Sequence, residues 1–167
     1  MIEMRTAALA DLRAIVALDQ EIFGVYGADE DPRIIEGRLK AFPAGCVVLM
    51  EEGRLVAYLT TEKWKSRREP ALNEDPAITH QPEGTVLNIT TLAVAPSAQG
   101  RGLGGRLLDA AIEIACREAC VEIVLETARA KEFYLARGFE WIGDRSQRGI
   151  LLNVMVRLLQ NDCSQDL

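Results

Sequence analysis

The stretch from Asn88 to Leu108, NITTLAVAPSAQGRGLGGRLL, holds the residues best suited to chemistry. Gly100, Gly102, Gly104 and Gly105 lie between a β-branched and apolar run, Val86 to Val94, and a helical pattern. Glycine reaches positive φ and leaves the backbone bare. A bare backbone entering a helix turns free N–H groups outward at the positive end of the helix dipole, which seats a phosphate or pyrophosphate. Arg101 adds a charged donor inside the run. Pro96 closes the preceding strand, because proline gives no hydrogen bond to a ladder.

Three readings share these residues. The plainest is a glycine-rich turn between strand and helix. A dinucleotide fold is the second, but the strict spacing G-x-G-x-x-G is absent and the loop sits mid-chain rather than opening its domain. The third is an acyl-coenzyme A site. Its carriers are Leu92-Ala93-Val94-Ala95-Pro96 followed by Gln99-Gly100-Arg101-Gly102-Leu103-Gly104, and further on Ala130-Lys-Glu-Phe133-Tyr134-Leu-Ala-Arg-Gly138-Phe139. Taken in this order the two motifs resemble those of the GNAT N-acetyltransferase superfamily, and the order of elements matches that fold over nearly the whole chain.

The resemblance implies an acetyl-CoA-dependent N-acetyltransferase acting on a primary amine of a small molecule or peptide. It places Tyr134 as general acid to the coenzyme A thiolate. The backbones of Leu92, Ala93 and Val94 would hold the pantetheine arm and acetyl group, and Gln99, Gly100, Arg101, Gly102, Leu103 and Gly104 would cradle the pyrophosphate. Thr127 stands where family members often carry an asparagine that touches the cofactor. No base is evident. Glu126 at the end of a parallel strand is one candidate, and Asn88, where some members have glutamate, is suited to orienting a water. Glu62 and His80 are further candidates, as is proton loss through ordered water. The missing base leaves a non-catalytic acyl-CoA-binding or regulatory module as the alternative on the same fold. Some members dimerise through their last strands, and Ile150–Leu158 is apolar enough for a homodimer.

The elements that must position these residues follow from periodicity. Ile2–Arg5 is a first strand, and a helix from Ala8 carries Leu12, Ile15, Val16, Ile22 and Phe23 on one stripe, with Asp19 among them, as far as Gly24. An acidic loop holds Asp29, Glu30 and Asp31, and Asp31-Pro32 caps a second helix. Cys46–Met50 and Leu55–Trp64 form a hairpin around Glu51–Arg54. Lys65 to Gly84 shows no periodicity and opens with a basic cluster, Lys65, Arg67 and Arg68. A helix from the glycines runs to about Ala119, Val121–Glu126 is a buried parallel strand, and Ala128–Arg137 is a short helix ended by Gly138. Glu140–Ile142 starts a strand, Gly143–Gly149 is a turn, and Ile150–Leu158 is the last strand. The expected fold is α/β (α+β): a mixed, mostly antiparallel sheet of six or seven strands, about four helices, and two central parallel strands splayed at the cofactor site. Residues 1–159 make a single domain, and 160–167 a polar, frayed tail.

Composition sets outer bounds. The 49% apolar and 26% charged residues suit a soluble globular domain, and a net charge of −6 argues against nucleic-acid binding through a basic surface. No run reaches a membrane span, and the N-terminus has no signal pattern. Cys46, Cys116, Cys120 and Cys163 form no C-x-x-C, and His80 is the sole histidine, so no metal site is expected. Cys116 and Cys120, four apart on one helix, read as small core residues in a reducing cytoplasm.

Overall fold

The computed structural model describes residues 1–160, 162 and 163 of the 167-residue chain. Seven strands form one sheet in the order β1-β2-β3-β4-β5-β7-β6: β1 (Ile2–Thr6), β2 (Val47–Glu51), β3 (Arg54–Trp64), β4 (Val86–Val94), β5 (Glu122–Thr127), β6 (Glu140–Gln147) and β7 (Ile150–Leu158). Five helices flank it: α1 (Leu12–Phe23), α2 (Pro32–Ala41), α3 (Pro76–Thr79), α4 (Leu103–Arg117) and α5 (Lys131–Leu135). The sheet is mixed and mostly antiparallel, as expected, with β4 and β5 its parallel pair.

That pair opens the site. Its register covers only Val86↔Glu122, Leu87↔Ile123 and Asn88↔Val124. Beyond it β4 stays with β3 as far as Ala57↔Val94, and β5 stays with β7 as far as Thr127↔Asn153. Each strand therefore keeps one partner, and a notch forms between them. From Ile89 onward the β5-facing backbone of β4 has no strand to bond, which leaves obligatory donors and acceptors free.

Helices α1 and α4 pack against the strands beside the notch. The α1 stripe buries Ile15 and Leu18 and also Asp19, which is only 1% exposed. A buried carboxylate is costly unless bonded. Tyr58 Oη donates to Asp19 at 2.9 Å, and the Glu30 N–H donates at 2.8 Å, so the acid ties α1 to β3 and to the acidic loop. The helix begins one turn later than Ala8, after a single 3-10 turn at Leu9–Asp11. There Asp11 accepts from the Ala8 N–H and pairs with Arg5. On α4, Leu103, Leu107, Leu108, Ala111 and Ile114 are buried in the main core, which also takes Ile123 and Leu125 from β5.

Four expectations are corrected. The stretch 65–84 is built rather than structureless: Asp75 caps α3, Arg68 pairs with Glu74 at 2.7 Å and lies 4.2 Å over the Trp64 ring, and the Gln81 N–H reaches the Lys63 carbonyl. β6 runs through Gln147, so the turn is only Arg148-Gly149, both at positive φ. Residues 143–147 are polar because β6 is an edge strand that buries little. α5 is shorter than Ala128–Arg137, because the Thr127 hydroxyl accepts from the Ala130 N–H and holds the approach as a turn. Cys116 is not a free core thiol. It is bonded to Cys163 (S–S 2.02 Å), while Cys120 is free and buried as expected, and Cys46 is free and buried too. Leu159 hydrogen-bonds back to Val121, and Arg157 pairs with Asp162, which returns the chain end to α4. The rest of the expected frayed tail lies outside the described residues. β7 is interior to the sheet, so any edge-to-edge dimer would form through β6 or β1.

Candidate functional site

A cleft of about 1240 Å³ follows the notch. Typical small-ligand sites enclose roughly 300–1,000 Å³, so this one has room for an elongated ligand and a second molecule. Its floor is Ile89–Val94 of β4 and Leu125–Thr127 of β5, and Tyr134 closes one wall.

The glycine run lies at one end. Gly100 and Gly102 have φ of 77° and 78°, a conformation that other residues adopt only under strain. Gly102 is the N-cap of α4 and brings no side chain to the helix end. The first bond into the helix is Arg106 N–H to the Gly102 carbonyl at 3.2 Å, so the N–H groups of Leu103, Gly104 and Gly105 have no acceptor within the helix. Gly104 is small for packing, since a Cβ there would sit 3.3 Å from the Phe133 ring.

The charged donor is not the expected one. The Arg101 side chain turns to Glu51 at 3.1 and 2.5 Å and does not line the cleft. That guanidinium holds the Glu51 carboxyl below the usual carboxylate range. The Gln99 amide bonds the Val94 carbonyl. Arg137 takes the place beside the helix end. Its guanidinium stacks on Phe133 at 3.8 Å, donates to the Phe133 carbonyl, and has Nε 3.7 Å from where a Cβ on Gly105 would stand. The four-residue spacing Phe133–Arg137 on a helix is the signal that would have found it.

Tyr134 is 5% exposed, edge-on to Phe133 (5.0 Å) and Phe139 (5.3 Å). Burial pushes its phenol up to about 12. Among the described residues its hydroxyl makes no hydrogen bond, and the residue lines the cleft. Glu126 also lines the cleft, but both carboxylate oxygens are held by Arg145, the second at 2.8 Å. Thr127 lines it with its hydroxyl engaged by Ala130. Asn88 is buried between Glu62 and Val124, outside the lining. Glu62 bonds Trp64 Nε1 and the Thr79 hydroxyl, and His80 accepts from the Lys63 N–H while stacked on Phe42 at 4.6 Å; neither lines the cleft. The structure thus brings together Leu92, Ala93, Val94, the glycine backbone, Thr127, Glu126 and Tyr134, and leaves Asn88 and the Arg101 side chain apart. Arg129, Arg137 and Arg148 are lining cations that periodicity did not reveal.

Solved structures share this architecture. The loading GNATL domain of CurA from Lyngbya majuscula aligns with a TM-score of 0.84 at 17% identity, covering 96% of this chain and 98% of that one. The GphF GNAT-like decarboxylase in complex with isobutyryl-CoA aligns at 0.77 and 20% identity, covering 95% and 100%. The putative acetyltransferase yncA from Salmonella typhimurium, with its cofactor acetyl-CoA, aligns at 0.70 and 19% identity, covering 96% and 95%. No curated protein matches the chain. The acetyltransferase (GNAT) family model matches residues 12–139, which spans α1 to α5 with the notch, the glycine turn and Tyr134, and the chain belongs to that family.

Proposed function

We propose that the protein transfers an acetyl group from acetyl-CoA to a primary amine. The observation that carries this reading is the notch itself: free β4 backbone leads from an uncapped helix end to a buried, unbonded phenol. Those residues fit acetyl-CoA. The β4 edge beyond Asn88 offers amide-pairing groups to a pantetheine arm, and the first turn of α4 with Arg137 offers donors and charge to a pyrophosphate. Acetyl-CoA supplies an electrophilic thioester carbonyl, and the chain does the rest. Backbone N–H groups in the notch orient that carbonyl. Tyr134 presents a protonated phenol toward the position of the departing sulfur and stays protonated across the working pH range, because burial raises its pKa. The amine nitrogen forms the new C–N bond as the C–S bond breaks, and the amine's proton leaves through water, since Arg145 occupies Glu126. The chain carries out this work in the cytoplasm on this reading.

The occupied carboxylates also support a second reading, an acyl-CoA-binding module without turnover. Relatives with the same fold include one named a decarboxylase, so the fold leaves the reaction open. The test is twofold. Calorimetric titration with acetyl-CoA is expected to show one site per chain, and coenzyme A thiol release is expected only when an amine is added. Binding without amine-dependent release favours the module. Release without any amine points to hydrolysis of the thioester by water. Absence of binding refutes both readings.

A further inference from the structure

The cleft has a second end, away from the glycine turn, and its side chains speak to the acceptor. Arg129 and Arg137 flank α5 on either side. Arg137 belongs to the glycine end. Arg129 reaches the loop after α1, with its guanidinium 3.6 Å over the Tyr26 ring and hydrogen-bonded to the Tyr26 hydroxyl. From the β6–β7 turn, Arg148 donates to the carbonyl of the next residue, Gly27, at 3.0 Å. Two guanidinium groups that line the cleft therefore contact consecutive residues of this loop, and among the described residues they meet only neutral acceptors.

The three arginines that line the cleft, Arg129, Arg137 and Arg148, have no carboxylate partner among the described residues, whereas several of their neighbours do. Arg38 is paired with Glu30, Arg68 with Glu74, Arg101 with Glu51 and Arg145 with Glu126. The cleft's carboxylates are spent on those pairs or, for Asp19, on Tyr58 and the Glu30 N–H. Asp19 and Glu21 line the cleft without a cation among the described residues. Like charges brought together repel, and an arriving carboxylate satisfies both with bidentate geometry. The wall beside them is apolar. Val25 is 75% exposed, Tyr26 48% and Leu72 46%, and Ile150 and Leu152 line the same cleft. The loop bearing Leu72 is held in place by the Pro70 carbonyl on Arg145.

We propose that the acceptor is an α-amino acid with an apolar side chain. Its carboxylate binds between Arg129 and Arg148, its side chain covers Val25, Tyr26 and Leu72, and its amine points toward the notch. This rests on the acetyl-transfer reading above. A polyamine or a lysine side chain offers nothing to two arginines, and a peptide N-terminus has no carboxylate at that distance from its amine.

The test compares leucine, methionine and phenylalanine with their amides and with spermidine, as acetyl acceptors for the wild type, Arg129→Gln and Arg148→Gln. Acetyl-CoA titration runs in parallel on each protein. Expected is a preference for acid over amide of about tenfold or more, carried mainly in KM, as for a charge-assisted hydrogen bond. Arg148→Gln is expected to raise KM for the acids and leave the amides alone. Arg129→Gln also loosens Tyr26, so Arg148→Gln carries the decision if that variant folds poorly. Equal use of acid and amide, preference for spermidine, or no acceptor in this panel with acetyl-CoA bound would each overturn the proposal. Failure of acetyl-CoA to bind the wild type sinks the acetyl-transfer reading instead, and this proposal with it.

Discussion

Replacing Arg137 with glutamine tests how the site recognises a phosphorylated cofactor. Arg137 is exposed, has no carboxylate partner among the described residues, and is held against the first turn of α4 by its stack on Phe133. Glutamine keeps a hydrogen-bond donor and loses the charge. The guanidinium lies beside the first turn of α4, 3.7 Å from where a Cβ on Gly105 would stand, so a phosphate on that turn is taken at a separation of about 5 Å. There a unit charge pair is worth about 0.8 kcal/mol at the dielectric of water and about 3 kcal/mol at an effective value of about 20. Exposure and salt favour the lower part of that range, so about 1–2 kcal/mol is expected, a loss of about fivefold to 30-fold in coenzyme A affinity. Calorimetry in low salt measures it, with pantetheine as the phosphate-free comparison, whose affinity Arg137→Gln should leave alone. Arg101→Gln is the internal contrast. Its guanidinium is engaged by Glu51 on the end of β2, so coenzyme A affinity should stay within about twofold of wild type. If Arg101→Gln weakens binding as much as Arg137→Gln, or if Arg137→Gln changes nothing, the electrostatic reading of the glycine end is wrong.

Tyr134→Phe keeps the ring between Phe133 and Phe139 and removes only the hydroxyl, so acetyl-CoA affinity should hold while kcat falls by about 10²-fold or more; unchanged kcat would make Tyr134 a packing residue. Acid should destabilise the fold: Arg5, Arg68 and Lys63 lower the carboxyls of Asp11, Glu74 and Glu118, so their stabilisation is complete above the ordinary carboxylate pKa of about 4 and is lost as pH falls through the lowered folded values. Burial also lowers His80, so a smaller loss should begin as pH drops below its unfolded value of about 6.5, whereas Asp19, raised by burial, works in the opposite sense. Melting temperatures at pH 7.5, 5.5 and 3.5 on the order of the windows above measure this, and a flat profile would contradict it. Unfolded without reductant, the oxidised protein should titrate two thiols, Cys46 and Cys120, and four after reduction. In the native state those two should react slowly, because burial pushes both thiols up to about 11.

The sequence discloses what repeats and hides what happens once. The α1 stripe, the Asp31-Pro32 cap, the β2–β3 hairpin and the buried β5 run follow a period or a local capping rule, and each stands where expected. β6 went partly unseen because an edge strand has no buried face to impress a pattern on Gly143–Gln147. The Cys116–Cys163 bond joins residues 47 apart, a pairing no local rule contains. The loop at 65–84 gave no period because it is fastened by single contacts, Arg68 to Glu74 and Pro70 to Arg145.

The same division runs through the site. Its backbone half was legible, since glycines before a helix and a strand stopped by proline describe main-chain geometry directly. Its charged half was not. Arg101 lies inside the glycine motif and looks like the phosphate ligand, yet the nearest strand end offers it Glu51. Arg137 lies 36 residues further on and reaches the same helix end, because α5 packs its Phe133 against Gly104. Glu126, the carboxylate best placed by topology to act as a base, is silenced by Arg145 from an edge strand whose extent the sequence understated. Long side chains choose partners across the fold, and a motif cannot say which. Removing the charge on Glu51 tests this: Glu51→Gln frees Arg101 and is expected to tighten coenzyme A binding as the freed guanidinium swings to the glycine turn, whereas affinity unchanged from wild type would mean the loop geometry itself, rather than Glu51, keeps Arg101 out.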